Sequence, residues 1–211
     1  MKSYLVAIEV SGPLAIWARP DTAGAPTSYP APTWSAAKGL LESIAFLASG
    51  EAWLHPTRVE ICRRSGSTGG EVRFQRYATN YGGPLRKEQS VRNGTTMRFF
   101  ATVLADVCYR IHAEVRGKAD ANGKNPRHHL QEMFLWRAQR GKAFRTPALG
   151  WREFTCDYWG AFRAEWVVDD ALNIEIPSML DRVWDREVRG RFVSQFRQNV
   201  RIENGVLAYA Q

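Results

Sequence analysis

Short apolar runs, punctuated by Gly, Pro and Asn, order most of the chain. Tyr4 to Val10 is apolar and β-branched and ends at Ser11-Gly12-Pro13, which predicts a first, central strand. Five prolines (13, 20, 26, 30, 32) then mark residues 11–32 as a long loop, a length that usually accompanies binding. Thr33 stands at an N-cap position. Ala37, Leu40, Leu41, Ile44 and Ala48 follow at helical spacing and predict an amphipathic helix over 34–48, closed by Gly50. Val59 and Ile61, then Val72 and Phe74, alternate on either side of a Ser/Gly-rich tip at 65–70, which predicts a hairpin. Residues 79–95 read as a loop or inserted arm. Over 107–115 the alternation is clean: Val107, Tyr109, Ile111, Ala113 and Val115 face one way. Cys108, Arg110, His112, Glu114 and Arg116 face the other, so the strand is half buried with its polar side toward solvent or a ligand. After a polar loop at 120–124, Asn125-Pro126 opens a second helix with Leu130, Met133, Phe134 and Ala138 as its buried stripe and Gly141 as its stop. A strand is predicted over 149–155, a helix over 178–190, and a closing hairpin over 200–209 on Asn204-Gly205.

Strand, helix, hairpin, strand, helix, strand is the order of a split βαβ, ferredoxin-like unit, so the expected class is α+β. Such a fold hosts many functions and names none of them.

Composition narrows the picture. The 211 residues hold 45% hydrophobic and 12% aromatic side chains, enough for a real core and too many for a disordered basic tail. Three widely spaced cysteines (62, 108, 156) read as reduced thiols, which points to the cytoplasm. No apolar run approaches a membrane span, and the first residues lack a signal-peptide pattern. The 29 Lys and Arg outnumber the 21 Asp and Glu, giving +8 and a preference for polyanions.

That charge has a location. Lys118, Lys124, Arg127, Arg137, Arg140, Lys142, Arg145 and Arg152 cluster around the second helix, interleaved with Trp136, Phe144 and Trp151. Cations neutralise phosphates and aromatics stack on unpaired bases, so the pattern suits single-stranded RNA. A solvated helix face over core aromatics is the plainer alternative. His128 and His129 project about 100° apart on a helix and do not chelate one metal together. At a helix start beside cations, a His has the chemistry of a general acid or base, and also that of an ordinary surface residue. No metal site or cofactor is expected. The 65–70 segment lacks the Gly-Lys-Ser/Thr ending of a P-loop.

Three segments together resemble the Cas family-five proteins of type I-C CRISPR systems, within the RAMP superfamily. They are Arg19-Pro20-Asp21; Ser28-Tyr29 through Pro32-Thr33, Ser35-Ala36-Ala37-Lys38-Gly39, Leu41-Glu42 and Ile44; and Asn125-Pro126, Met133-Phe134, Arg137, Gly141 with Leu149-Gly150-Trp151-Arg152-Glu153-Phe154. Asp106 to Glu114 is more weakly similar. The resemblance implies a ferredoxin-like RAMP domain over 1–163 and a small β-rich C-terminal region over 164–211. It implies a Cascade subunit that grips the 5′ handle of CRISPR RNA, precursor and mature, beside the backbone and large subunits, and meets target DNA only through the complex. It also implies metal-independent endoribonuclease activity in which a ribose 2′-hydroxyl attacks the adjacent phosphate. The residues so implied for catalysis are His128, His129 and Lys124. The candidate RNA-binding residues are Arg19, Tyr29, Lys38, Arg116, Arg127, Arg137, Arg145 and Arg152. The family's cleaving members place a Tyr just after Glu-x-Ile, where this sequence has Ala45. A handle-binding subunit without cleavage activity is therefore the other reading.

Overall fold

The computed structural model describes residues 3–22, 24–81, 97–118, 125–184 and 192–209. The chain is α+β and mostly strand, with two α-helices among the described residues. β1 (Leu5–Ala15), α1 (Trp34–Ile44), β2 (Ala52–Arg64), β3 (Phe74–Tyr81), β4 (Met97–Gly117), α2 (Pro126–Gln139) and β5 (Tyr158–Gly160) come first. β6 (Trp166–Val168), β7 (Ile174–Trp184), β8 (Phe192–Ile202) and β9 (Val206–Ala208) complete the order. A seven-stranded sheet runs β5-β1-β4-β2-β6, with β3 also on β4 and β9 also on β2, while β7 and β8 form a ribbon of their own. Every ladder among the described residues is antiparallel.

β1 does not stop at Ser11-Gly12-Pro13 but continues to Ala15. β5 covers only Glu9 to Ser11 on one side, so the missing N–H of Pro13 falls beyond that neighbour. On the other side the pairs Gly12–Val107 and Leu14–Ala105 flank it, where Asp106 takes a φ of 50°. β4 is far longer than the predicted strand, yet its alternation is as read. Val107, Tyr109, Ile111, Ala113 and Val115 are buried with Val6, Ile8 and Val10 of β1 in the main core.

Both helix starts follow their local signals. The Thr33 hydroxyl accepts the Ala36 N–H at 3.1 Å, and the Asn125 side chain accepts that of His128 at 3.0 Å, with Pro126 first in α2. Leu40, Leu41 and Ile44 of α1 and Leu130 and Phe134 of α2 are buried, whereas Met133 and Ala138 are half-buried against the same core. α1 ends at Ile44, four residues short of its periodicity, because other segments take its last carbonyls. The N–H groups of Phe144 and Arg145 bond Ile44 and Ser43, and the Arg137 guanidinium donates to Ile44 at 2.7 Å.

Three expectations fail. The hairpin around 65–70 does not form, since β2 and β3 both pair with β4. Alternation reports which face is buried, not which strand is the neighbour. Residues 149–155 are a tight turn closed by an Ala148–Thr155 bridge, not a strand, and Gly150 takes a φ of 104°. The predicted helix over 178–190 is strand β7 as far as Trp184. Register shifts at Leu180/Arg182 and Arg182/Trp184 break its two-residue alternation and leave a spacing that imitates a helix. The predicted arm at 79–95 begins as β3, and its remainder from 82, like the 120–124 loop, lies outside the described residues.

The Asn204-Gly205 turn is present, with φ of 49° and 74° as a two-residue hairpin turn requires. Its strands part after the Glu203–Val206 bridge: β8 stays with β7 and β9 joins β2. No helix among the described residues is long and apolar enough to cross a membrane.

Candidate nucleic-acid interface

α1 is flanked by a cleft on each side. The first lies between α1 and residues 145–155 and is walled by Gly39, Ser43, Arg145, Thr146, Gly150 and Arg152. A Cβ at Gly150 would run into the Ile16 carbonyl oxygen, so the left-handed glycine lets the turn close against the end of β1. The turn is further held by the Leu149 N–H on Phe154 O at 2.7 Å. Trp151 stacks on Phe154 and packs against Tyr77 and Phe99. Tyr77 also reaches Glu153 at 3.2 Å, and desolvation followed by the Glu153 charge pushes its hydroxyl pKa up. Trp151 is thus a structural aromatic, while Arg152 beside it is exposed on the cleft. On α1, a side chain at Gly39 would meet nothing, so the helix surface there is bare and open to close approach.

The second cleft lies between α1 and the start of β2, with Lys38, Phe46, Trp53, His55, Arg116 and Arg182 on its walls. Lys38 pairs with Glu42, Arg116 with Glu114 at 2.9 Å, and Arg182 with Asp181 at 2.9 Å. Arg182 also lies over the Trp34 ring at 4.5 Å. His55 is 5% exposed, its ring meets Trp34 edge-on, and its Nε2 has no hydrogen bond. Burial first, then the Arg116, Arg182 and Lys38 charges, push its pKa down to about 4, so it is neutral.

The polar face of β4, expected to turn to solvent or a ligand, is roofed by residues 161–168. Glu9, with no exposed surface, bonds Arg110 at 3.1 Å and Arg163 at 2.7 Å. Arg163 continues to Ser11, and Arg110 to the Trp166 carbonyl at 2.6 Å. His112 lies 2.9 Å from Glu60 and edge-on to Phe162; burial lowers its pKa most. Beneath this roof Cys62 and Cys108 lie side by side as buried free thiols. The neighbouring Cys62 thiol and burial raise the Cys108 pKa. Cys156 is the third buried thiol, raised to about 12 by burial.

The predicted binding residues separate into groups. Arg145 and Arg152 share the first cleft, Lys38 and Arg116 the second. Arg127 lies over the Tyr4 ring at 5.4 Å, next to His128, which reaches Glu132 at 3.2 Å. His129 is exposed, with its N–H on Asn125 O. Arg137 is tied to Ile44, and Arg19 to Asp21 at 2.7 Å in the loop after β1. Tyr29 is 2% exposed, and its hydroxyl accepts the Leu180 N–H at 3.1 Å. Lys124 lies outside the described residues. Three participants in these clefts escaped the sequence reading. Arg182 stood in a segment read as helix, His55 belonged to no predicted element, and Phe46 lay inside the predicted helix 34–48 but off its apolar stripe. Among the described residues no three His, Cys, Asp or Glu side chains gather as a metal site.

Fold and clefts define a strand-rich α+β protein that presents arginines on both sides of one helix. The chain belongs to the Cas5d group of the family described as CRISPR-associated protein (Cas_Cas5), whose family model matches residues 5–192. It is 31% identical over 173 residues to the CRISPR pre-crRNA endoribonuclease Cas5d of Thermus thermophilus, covering 82% of this chain and 70% of the relative. The protein of the same name from Mannheimia succiniciproducens is 29% identical over 167 residues, 72% of this chain and 71% of that one. Among solved structures, a CRISPR-associated protein superposes with a TM-score of 0.68 at 18% identity, over 100% of this chain and 95% of the other. A functionally uncharacterized protein from Streptococcus mutans gives 0.66 at 16% identity, over 99% and 93%. These two likenesses concern the fold.

Proposed function

We propose that the protein binds the repeat of CRISPR RNA, keeps the 5′ handle as a subunit of a Cascade surveillance complex, and cuts the precursor within the repeat. The observation that carries the RNA reading is the first cleft. There Arg145 and Arg152 face a bare helix surface at Gly39, in a chain whose relatives are named pre-crRNA endoribonucleases. Guanidinium groups beside an approachable backbone suit a phosphate chain. The strand order β5-β1-β4-β2, with α1 and α2 as the connections, supports a ferredoxin-like core.

Cleavage is assigned to the start of α2. A base takes the proton of the ribose 2′-hydroxyl, and the 2′-oxygen attacks the adjacent phosphorus. The bond from phosphorus to the 5′-oxygen breaks, and an acid protonates that oxygen. The products are a 2′,3′-cyclic phosphate and a 5′-hydroxyl. His128 and His129 are the groups of suitable chemistry there, both exposed in the first turn, where the helix dipole favours an anion. The Glu132 carboxylate at 3.2 Å is placed to orient the His128 ring. Lys124 is the cation of this reading.

Ala45 favours a second reading, in which the RNA is held and not cut. It is fully buried at the α1 C-cap and offers no ionisable group where cleaving family members place a Tyr. One assay separates the two: the repeat RNA of the host's own CRISPR array, incubated with the protein in excess EDTA, against the same RNA with one 2′-deoxy sugar at the cut site. EDTA-resistant cleavage, abolished by the deoxy sugar and impaired by H128A or H129A more than binding is, supports catalysis. Tight binding with no cleavage at any protein excess establishes the second reading.

A further inference from the structure

Just past the C-terminal end of α1, two large rings stand exposed. Phe46 is 38% and Phe144 52% exposed, in edge-to-face contact with centroids 4.8 Å apart. The backbone beneath them is fastened. Phe144 N–H bonds Ile44 O at 3.2 Å, Arg145 N–H bonds Ser43 O at 2.8 Å, and the Arg137 guanidinium adds its bond to Ile44 O. Such a pair is held before any ligand arrives, so stacking on it costs little ordering. Phe46 also lines the cleft of Lys38 and Arg116, and Arg145, the residue after Phe144, lines the cleft of Arg152.

The surroundings select the occupant. From Gln139 to Arg152 the chain has no acidic residue but contains Arg140, Lys142, Arg145 and Arg152. The Arg145 guanidinium lies 5.5 Å from the centroid of the Phe144 ring. An apolar protein patch would suit bare rings, but rings beside the Arg145 guanidinium, on a segment rich in cations and without acidic residues, suit a ligand with flat π-faces on a polyanionic chain. Unpaired nucleotides of single-stranded RNA have that chemistry.

We propose that Phe46 and Phe144 form a stacking platform for an unpaired nucleobase of the bound RNA, joining the Arg145–Arg152 cleft to the Lys38–Arg116 cleft into one path. The inference rests on the RNA reading above. It adds a base-binding subsite beside the phosphate-binding arginines and makes Ala45 the neighbour of a positioning surface.

The test measures affinity for the host repeat RNA and for copies in which one nucleotide at a time is made abasic. Phe46→Leu and Phe144→Leu keep apolar volume and remove the aromatic face, and Phe144→Trp restores it; thermal melting confirms that each variant is folded. For the wild type, one or two abasic positions weaken binding by about fivefold to a hundredfold. The double Leu variant loses a similar factor on the intact RNA and no longer distinguishes those abasic copies. Phe144→Trp behaves as wild type, and the salt dependence of every Phe variant is unchanged, since no phosphate contact is lost.

Wild-type affinity in the double Leu variant overturns the platform. If that variant instead fails only to assemble with a protein partner, the pair belongs to a protein contact and the platform is again overturned. Arg152→Ala keeps the two levels apart: RNA binding that depends on Arg152 but not on the rings removes the platform alone. A wild type that does not bind the RNA removes the functional reading beneath it.

Discussion

Glu9 has no contact with water, and two guanidinium groups share its carboxylate. Removing one partner of a buried ionic group leaves the others uncompensated, so Glu9→Gln is expected to cost about 3 kcal/mol, read from the urea midpoint. His55 supplies a pH dependence whose sign follows from its depressed pKa. The folded state holds it neutral to about 4, whereas the unfolded chain protonates it near 6.5. Its contribution is complete above the unfolded value and declines as pH falls from 6.5 toward 4, and His112 acts in the same direction. Urea midpoints at pH 7.5 and pH 5 are expected to show stability falling on acidification. His55→Gln should flatten that slope; an unchanged slope would assign the effect to other groups. Thr33 and Asn125 were legible in the sequence because a cap acts within three residues. The state of His55 was not, because it depends on burial and then on Arg116 and Arg182, far away along the chain.

At the scale of elements, Tyr29 joins the loop before α1 to the β7–β8 ribbon through the Leu180 N–H. Ser35 does the same from α1, donating to Asp181 O at 3.3 Å and accepting the Val183 N–H at 3.2 Å. Tyr29→Phe is therefore expected to cost about 1 kcal/mol of stability, measured by denaturant unfolding. It should leave the salt dependence of RNA binding unchanged; a reduced slope would mean that Tyr29 acts on the RNA directly. Both helix starts and the apolar face of β4 could be read from local spacing. Helix and strand partners could not. α1 is shortened by Arg137, Phe144 and Arg145, which arrive some hundred residues later. β3 leaves β2 for β4, and the bulges of β7 hide its strand period. The family motif over 149–153 was recognisable while its conformation was not, since the turn depends on Gly150 meeting the backbone at Ile16.

Across the whole molecule, the excess of eight positive charges is not spread evenly. Many cations are committed to structural partners, as Arg110, Arg163 and Arg137 are, and in the second cleft Lys38, Arg116 and Arg182 pair with carboxylates, while Arg145 and Arg152 line the first cleft beside α1. Sequence clustering grouped Arg145 and Arg152, which share the first cleft. It joined them to Arg137, which the fold uses as a helix tie, and missed Arg182, which the fold brings to the other side of α1. The central claim is that the groove between α1 and the 145–155 segment grips the phosphates of the repeat RNA. It is tested most directly by the salt dependence of the dissociation constant for wild type and the R145A/R152A variant. Weaker binding by the variant, with a slope of log affinity against log salt reduced by about 1.4, is the predicted result for two lost single-strand phosphate contacts. Equal affinity and equal slope in the two proteins would contradict it.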